Sequence, residues 1–164
     1  MTRLLNEYLE EMTGIVRKWG GTIPQFTVDA IFAIFGVPDS RGDREDDVAC
    51  VRMALNMQVP LRVLRDKWWM EGIQFPFAIR CRIHTGMANV SNYGSEALME
   101  YSAIGLNTNL ASRIEHVCEP GEIYVSHTTS VLIQNIILCV EVGTIEGKGF
   151  HFPIRTYKVS QKMA

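Results

Sequence analysis

The sequence of 164 residues has no block of basic residues, no paired cysteines and no long apolar run. Its 16 basic and 18 acidic side chains are spread along the chain, which gives little support to nucleic-acid binding through phosphate contacts. The four cysteines (Cys50, Cys81, Cys118, Cys139) form no CxxC pair, so we expect small buried thiols in a reducing compartment rather than zinc ligands or a disulfide framework. No stretch approaches the roughly 20 apolar residues of a membrane span, and Met1–Asn6 lacks signal-peptide character. These absences predict a cytoplasmic location, with neither nucleic acid nor membrane as partner.

What the chain does contain predicts one folded domain over residues 1–164. Hydrophobic residues make up 47% of it, which is enough to form a buried core, and the length lies in the common range for a single domain. No internal repeat or low-complexity tract is present.

The stretch from Gly20 to Gly36 predicts a β-hairpin around which the rest is organised. Two apolar runs, Thr22–Thr27 and Ala30–Phe35, flank a tight link at Val28–Asp29. Both faces of the second run are apolar, so we expect this strand to be covered on both sides in the middle of a sheet. A charge at the tip of such a hairpin is costly unless it is paired. Asp29 is therefore either a metal ligand or a turn-forming residue.

Helical and alternating patterns follow one another along the chain. An apolar stripe at the helical period predicts a helix over Leu5–Trp19. Further helices are predicted over Asp46–Met70, Asn107–Val117 and Thr128–Ile133, the last capped by Ser126. Strands are predicted over Phe75–Gly86, Ala88–Ser91, Leu98–Gly105, Ile123–Ser126, Ile136–Val142 and Phe152–Val159. This interleaving favours an α+β or α/β sandwich.

Three features have two interpretations each. The acidic cluster at 43–47 either binds a cation or, as we favour, charges and caps the start of the next helix. Trp68, Trp69 and Met70 are either core residues or a partner surface. His84 is more often a structural histidine than a ligand in such a position.

Several segments resemble, in order, the catalytic domain of the class III nucleotidyl cyclases, the adenylate and guanylate cyclase family. LLNEYLEEMTGIVRKWGGTIPQFTVDAIFAIFG resembles the family's helix and metal-binding hairpin, and IHTGMANVSNYGS its second hairpin. YSAIGLNTNLASRIEHVCEPGEIYVS resembles the signature helix and the strand after it. Linked motifs in order are far more specific than any single glycine pattern.

The resemblance implies cyclisation of a nucleoside triphosphate, with two Mg²⁺ or Mn²⁺ ions and release of pyrophosphate. It places Asp29 at a metal aspartate, Asn109 at the ribose-orienting asparagine and Arg113 at the arginine that stabilises the transition state. In the family these groups meet across a head-to-tail dimer, so a homodimer or a heterodimer with another cyclase domain is expected.

Gln25 and Ser102 occupy the two positions that read the purine. Either side chain can donate and accept hydrogen bonds, so adenine and guanine both fit. Ser102 resembles the threonine that some bacterial adenylate cyclases carry there, which favours ATP. The pair matches neither the lysine/aspartate of adenylate cyclases nor the glutamate/cysteine of guanylate cyclases.

The chain also departs from the family pattern. The fold implied is a ferredoxin-like (palm-type) α+β sandwich, but the family's first strand and helix, with its first metal aspartate, have no counterpart here. We therefore expect a domain that is N-terminally truncated relative to the family, with one carboxylate for two ions.

Three single positions depart as well. Val28 and Leu106 replace a glycine and an aspartate, and Glu146 stands where the family has a phosphate-binding lysine, a role Lys148 could take. These changes predict a weak or inactive cyclase. The alternatives are a catalytically silent cyclase-homology domain with a regulatory or partner-binding role, or a plain dimerisation module.

Overall fold

The computed structural model describes residues 2–26, 30–37, 39–74, 77–86, 89–93, 100–104, 118–145 and 153–160. Within these ranges the chain forms helices and strands in alternating groups, an α+β arrangement. The helices are α1 (Thr2–Lys18), α2 (Asp43–Met70) and α3 (His127–Ile133). The strands are β1 (Thr22–Phe26), β2 (Ile31–Ile34), β3 (Cys81–Ile83), β4 (Asn89–Tyr93), β5 (Glu100–Ile104), β6 (Ile123–Ser126), β7 (Cys139–Ile145) and β8 (Ile154–Val159).

Helix α1 buries one stripe of side chains against α2. The fully buried members recur every four residues, as a helical face requires: Leu4, Tyr8, Met12 and Val16. The helix was predicted over Leu5–Trp19 and begins three residues earlier. It ends at Lys18, one residue before the predicted end, and Gly20 follows with a positive φ of 89° that other residues rarely reach.

Helix α2 begins at Asp43, three residues before the predicted start, and ends at Met70 as predicted. Gly42 is its N-cap residue, and no side chain caps the helix, so the predicted capping by the acidic cluster is wrong. The carboxylates of the first turn still lie where the partial positive charge of a helix N-terminus favours them.

The aromatic end of α2 divides between core and surface. Trp68 is 1% exposed and meets the ring of Phe77 edge-on, with centroids 5.5 Å apart. Trp69 and Met70 are 61% and 85% exposed. The core interpretation therefore holds for Trp68 alone.

Four of the strands form one mixed sheet in the order β3-β6-β8-β7. Strand β3 runs parallel to β6, and the remaining pairs are antiparallel. Helices α2 and α3 cover one face of this sheet. The apolar cluster between them includes Val48, Val51, Ile83, Val125 and Ile133.

The other four strands form two antiparallel hairpins, β1–β2 and β4–β5. The hairpin predicted between Gly20 and Gly36 is confirmed. All of β2 is half-buried rather than buried, and among the described strands it pairs with β1 alone, so the expected mid-sheet position is not met there. The expectation that the family's first strand and helix are missing stays a prediction, because it concerns a segment outside the described residues.

Two strand boundaries differ from the prediction for local reasons. The first of the closing strands, predicted at Ile136, starts at Cys139, because Asn135 has a positive φ of 69° and the amides of Ile136 and Ile137 still bond to the last turn of α3. Strand β3 covers only part of Phe75–Gly86, since its partner β6 is four residues long. The predicted helix Asn107–Val117 lies outside the described residues.

Candidate functional site

Strands β1 and β5 lie next to each other and carry the two positions predicted to read a purine. Gln25 pairs with Phe32 in the first hairpin. Ser102 pairs with Ser91 in the middle of the second. The fold thus brings the backbones of these two strands together from segments more than seventy residues apart in sequence. Their side chains lie outside the described part of the chain, so contact with a base stays a prediction.

The other predicted site residues lie outside the described ranges. Asp29 falls in the link between β1 and β2, and Asn109 and Arg113 fall between β5 and Cys118. Lys148 falls between β7 and β8. The departures at Val28, Leu106 and Glu146 lie in the same three connections. The structure therefore describes the elements that flank each of these positions and leaves their roles as predictions.

The hairpin that would carry Asp29 rests on the end of α1. The Thr22 hydroxyl donates to the carbonyl of Val37 at 2.6 Å, which joins the first strand to the segment after the second. Gly21 makes a close approach, since a Cβ there would lie 2.8 Å from Val16 Cγ1 and 3.1 Å from the Phe35 ring. This packing fixes the base of the hairpin against the core.

The loop after β2 is fixed by Asp46, whose residue is 6% exposed. Its carboxylate accepts the Ser40 hydroxyl at 2.5 Å and the Arg41 backbone N–H at 3.4 Å. The Arg41 guanidinium in turn donates to the Trp19 carbonyl at 2.9 Å. One carboxylate thereby links the start of α2 to the end of α1, on either side of the hairpin.

A second carboxylate, Asp47, begins a line of hydrogen bonds that the sequence analysis did not foresee. The Thr85 hydroxyl bonds to Asp47 Oδ2 and lies 2.8 Å from Thr129 Oγ1. Ser126 Oγ lies 3.3 Å from Thr129 Oγ1 and 2.6 Å from His84 Nδ1. We call these five side chains the Asp47–His84 chain.

Burial sets the protonation behaviour of this chain. The pKa of Asp47 is raised to about 6, mainly because burial removes water from the carboxylate; the Thr85 hydrogen bond opposes the shift, and the charges of Asp43 and Asp46 add to it. Ser126 and Thr129 are fully buried, and His84 is half-buried. The structural interpretation of His84 is thereby supported. Ser126 is the N-cap residue of α3, but its hydroxyl makes no capping bond, so the predicted cap is present only in backbone position.

The cysteines behave as packed thiols. All four are free, and burial raises the pKa of Cys118 to about 11 and that of Cys81 to about 12. Burial also raises the pKa values of Cys50 and Cys139. The raised pKa values keep these thiols protonated at neutral pH, so they are poor nucleophiles.

Among the described residues, no group of three or more His, Cys, Asp or Glu side chains is arranged to hold a metal ion. The acidic cluster does not qualify, because Asp46 and Asp47 are already hydrogen-bonded to Ser40, Arg41 and Thr85. Metal binding by Asp29 stays a prediction. In the helices that the structure describes, none is long and apolar enough to cross a membrane.

Comparison with known proteins identifies the class of domain. The family model of the adenylate and guanylate cyclase catalytic domain matches residues 1–161. The chain therefore belongs to this family, as its motifs predicted.

Three relatives give the likeness in more detail. Adenylate cyclase 1 of Rhizobium meliloti is 30% identical over 158 residues, which cover 95% of this chain but only 23% of that protein. The crystal structure of the adenylyl cyclase CyaB from P. aeruginosa is 43% identical with a TM-score of 0.91, covering 99% of this chain and 83% of that one. The guanylyl cyclase Cya2 is 31% identical with a TM-score of 0.86, and the match covers 96% of this chain and 79% of that one. The described fold is therefore cyclase-like.

Proposed function

We propose that the chain is a nucleotidyl cyclase domain that converts ATP, and less readily GTP, into the 3′,5′-cyclic nucleotide and pyrophosphate. The observation that carries this proposal is the family match over residues 1–161. The preference for ATP is supported by the relatives from R. meliloti and P. aeruginosa, both named adenylate or adenylyl cyclases. Cya2, at lower identity than CyaB, is named a guanylyl cyclase, which keeps GTP as the second substrate.

Each predicted site residue has one role in the reaction. Asp29 would hold Mg²⁺ or Mn²⁺, which supplies charge neutralisation for the triphosphate and activates the ribose 3′-oxygen. Asn109 orients the ribose so that the 3′-oxygen stands in line with the bond to the leaving pyrophosphate. Arg113 offers a planar, permanently charged fork to the oxygens that gain charge in the transition state. Lys148 neutralises the phosphates.

Base recognition falls to the paired hairpins. Strands β1 and β5 lie side by side, so Gln25 and Ser102 are carried on neighbouring strands. An amide and a hydroxyl can each switch between donor and acceptor, which suits adenine and tolerates guanine.

The reaction requires two chains in this proposal. In this proposal, one site is formed by Asp29 of one protomer together with Asn109 and Arg113 of its partner. Either a homodimer or a heterodimer with another cyclase domain could form such a site. Such an interface should bury about 1,200–2,000 Å². Because only Asp29 matches a family metal aspartate, we propose low turnover for this chain by itself.

The test is product analysis with ATP and GTP, each in Mg²⁺ and in Mn²⁺. We expect cyclic AMP in excess of cyclic GMP, and loss of either product by roughly 10²–10³-fold in Arg113→Ala and Asn109→Ala. Arg62→Ala is the matched control, since Arg62 is exposed on α2 and should keep wild-type activity. Product that is unaffected by Arg113→Ala would contradict the assigned role.

A second candidate is a catalytically silent cyclase-homology domain that regulates a partner. The observation in its favour is the set of departures at Val28, Leu106 and Glu146. This domain would form no product from either nucleotide. It would still restore activity to a cyclase partner that lacks its own catalytic arginine, and Arg113→Ala would abolish that rescue.

A further inference from the structure

The Asp47–His84 chain crosses the core and takes no part in the proposed reaction. It starts on α2, passes through Thr85 and through Thr129 of α3, and reaches His84 by way of Ser126 at the end of β6. Only residues 86–88 separate Thr85 from β4, so the Asp47–His84 chain ends close in sequence to the start of the β4–β5 hairpin. Its two ends are the only members that can change their number of protons near neutral pH.

When Asp47 is ionised, the number of protons on each group determines which group donates each hydrogen bond in the Asp47–His84 chain. Each hydroxyl has one proton and so donates one bond. The carboxylate can only accept, so Thr85 donates to Asp47 and Thr129 donates to Thr85. With the proton of Thr129 used in this way, the hydrogen bond between Ser126 and Thr129 at 3.3 Å requires Ser126 as its donor. The Ser126 oxygen is then left as an acceptor, and His84 must present Nδ1–H to it at 2.6 Å.

Protonation of Asp47 reverses that direction. A neutral carboxyl can donate to Thr85, so each hydroxyl in turn rotates to donate to the next. Ser126 then donates to His84 Nδ1, which must be without a proton, and the ring carries its proton on Nε2 instead. One proton is taken up from solvent by the carboxyl, the hydroxyl protons only rotate, and the ring loses the proton on Nδ1 and gains one on Nε2.

We propose that the Asp47–His84 chain is a proton-sensitive device in which the charge on Asp47 selects the tautomer of His84. The buried hydroxyls suit this role, because a fully hydrogen-bonded chain in a low-dielectric core has few alternative partners. Since burial raises the pKa of Asp47 to about 6, the change of tautomer falls near pH 6.

The charges that shift the pKa of Asp47 are those of two acidic side chains. Asp43 and Asp46 on α2 favour its protonated form, and within the described ranges no lysine or arginine pairs with it. The nearest other titratable or charged groups along α2 are Arg44, Glu45, Cys50 and Arg52. Those on the other elements packed around it are Cys81 and Arg82 on β3, Tyr124 on β6, His127 on α3, and Arg155, Tyr157 and Lys158 on β8. The two thiols stay neutral because burial raises their pKa values, and the His127 ring bonds to the Tyr157 hydroxyl at 3.0 Å.

The experiment is NMR of the protein labelled with ¹⁵N-histidine, recorded from pH 5 to pH 8. Long-range ¹H–¹⁵N spectra report which nitrogen of each of the four rings carries the proton, and His84→Gln assigns the His84 signal. We expect His84 to change from the Nε2–H form below about pH 6 to the Nδ1–H form above it. A ring that keeps one form throughout, or that becomes doubly protonated in this range, would overturn the proposal.

Variants test whether the change of tautomer depends on the Asp47–His84 chain or on a general effect of pH. Thr85→Val removes the first hydroxyl while keeping the shape of the side chain, and Asp47→Asn removes the titration, so both should abolish the transition near pH 6. Thr85→Ser keeps the hydroxyl and should retain it, as should Thr128→Val at an exposed position of α3. A wild-type transition in Asp47→Asn would show that Asp47 does not control the ring. This readout needs no catalysis, so its failure is distinct from failure of the cyclase proposal.

Discussion

Asp47 is a buried carboxylate without a cationic partner in the described part of the chain, and this sets the sign of its effect on stability. Its pKa rises from 3.8 to about 6 on folding, so the fold favours the protonated form. The stabilisation that this preference provides is therefore complete below pH 4 and is lost as the pH rises to about 6. Most hydrogen-bonded carboxylates have the opposite dependence.

Asp47→Asn should remove that loss. The amide stays neutral at every pH, so the variant should lose less stability than the wild type when the pH rises from 4.5 to 7.5. We expect the two losses of unfolding free energy to differ by on the order of 2 kcal/mol. Urea unfolding at the two pH values measures it. Asp66→Asn, at an exposed position of the same helix, should keep the wild-type difference, and an unchanged difference in Asp47→Asn would contradict the assigned pKa.

Two glycines, one inside α1 and one just after it, should respond oppositely to alanine. Gly21→Ala places a Cβ 2.8 Å from Val16 Cγ1, so we expect a loss of about 1–3 kcal/mol of stability. Gly14 lies in α1 with no atom within 4 Å of a new Cβ, so Gly14→Ala should stabilise by about 0.5–1 kcal/mol. Thermal unfolding of both variants measures the two changes in stability. A neutral Gly21→Ala would show that the hairpin base is not tightly packed.

At the residue scale, the sequence predicts packing better than polar partners. Free cysteines and a buried Trp68 follow from composition and periodicity. Asp47 was assigned to a helix-capping cluster because its neighbours in sequence are acidic, whereas its partner Thr85 lies 38 residues further along the chain. Contacts of that range leave no periodic signal.

At the element scale, α1 and α2 pack through a shared core that ends at Trp68. The ring of Trp68 meets Phe77, its Nε1–H donates to Glu7 at 3.3 Å, and Lys67 donates to the same carboxylate at 2.9 Å. The hydrogen bond from Lys67 is the main cause of a lowered pKa of Glu7. The C-terminal end of α2 is thereby joined to the first turns of α1 by both apolar and polar contacts.

Adjacent tryptophans at this point allow a matched test. Trp68→Ala leaves a large cavity and should cost about 3–5 kcal/mol of unfolding free energy. The Trp69 side chain is mostly exposed, so Trp69→Ala should change the unfolding free energy by no more than about 0.5 kcal/mol. Denaturant titrations of the two variants give the comparison. Similar losses in both would contradict the division between core and surface.

Most elements were predictable because their patterns are local. The stripe on α1, the alternation around Ile79 and Ile83 and the hairpin spacing each identified an element, with ends accurate to about three residues for the helices. The start of β7 was wrong, because Asn135 and the amides after it extend the turn of α3 in a way that residue types alone do not indicate. The close approach of β1 and β5 is non-local, so no local pattern predicts it.

At the scale of the whole molecule, the family is established and the shared site is proposed. The cyclase match over residues 1–161 and the likeness to CyaB define the class of domain. The neighbouring strands of Gln25 and Ser102 would supply the base-binding part of the proposed site from within a single chain. The proposed reaction also needs Asp29 and Arg113 to meet, and in our account they come from different protomers.

Complementation between two inactive variants tests that central claim most directly. Asp29→Asn and Arg113→Ala are each expected to be inactive alone. Random mixing of the two makes half of the dimers mixed, and each mixed dimer has one intact site out of two, so cyclase activity should return to about a quarter of the wild-type level. If the mixture stays as inactive as its components while size-exclusion chromatography shows mixed dimers, the two groups do not meet across an interface and the proposed mechanism is wrong.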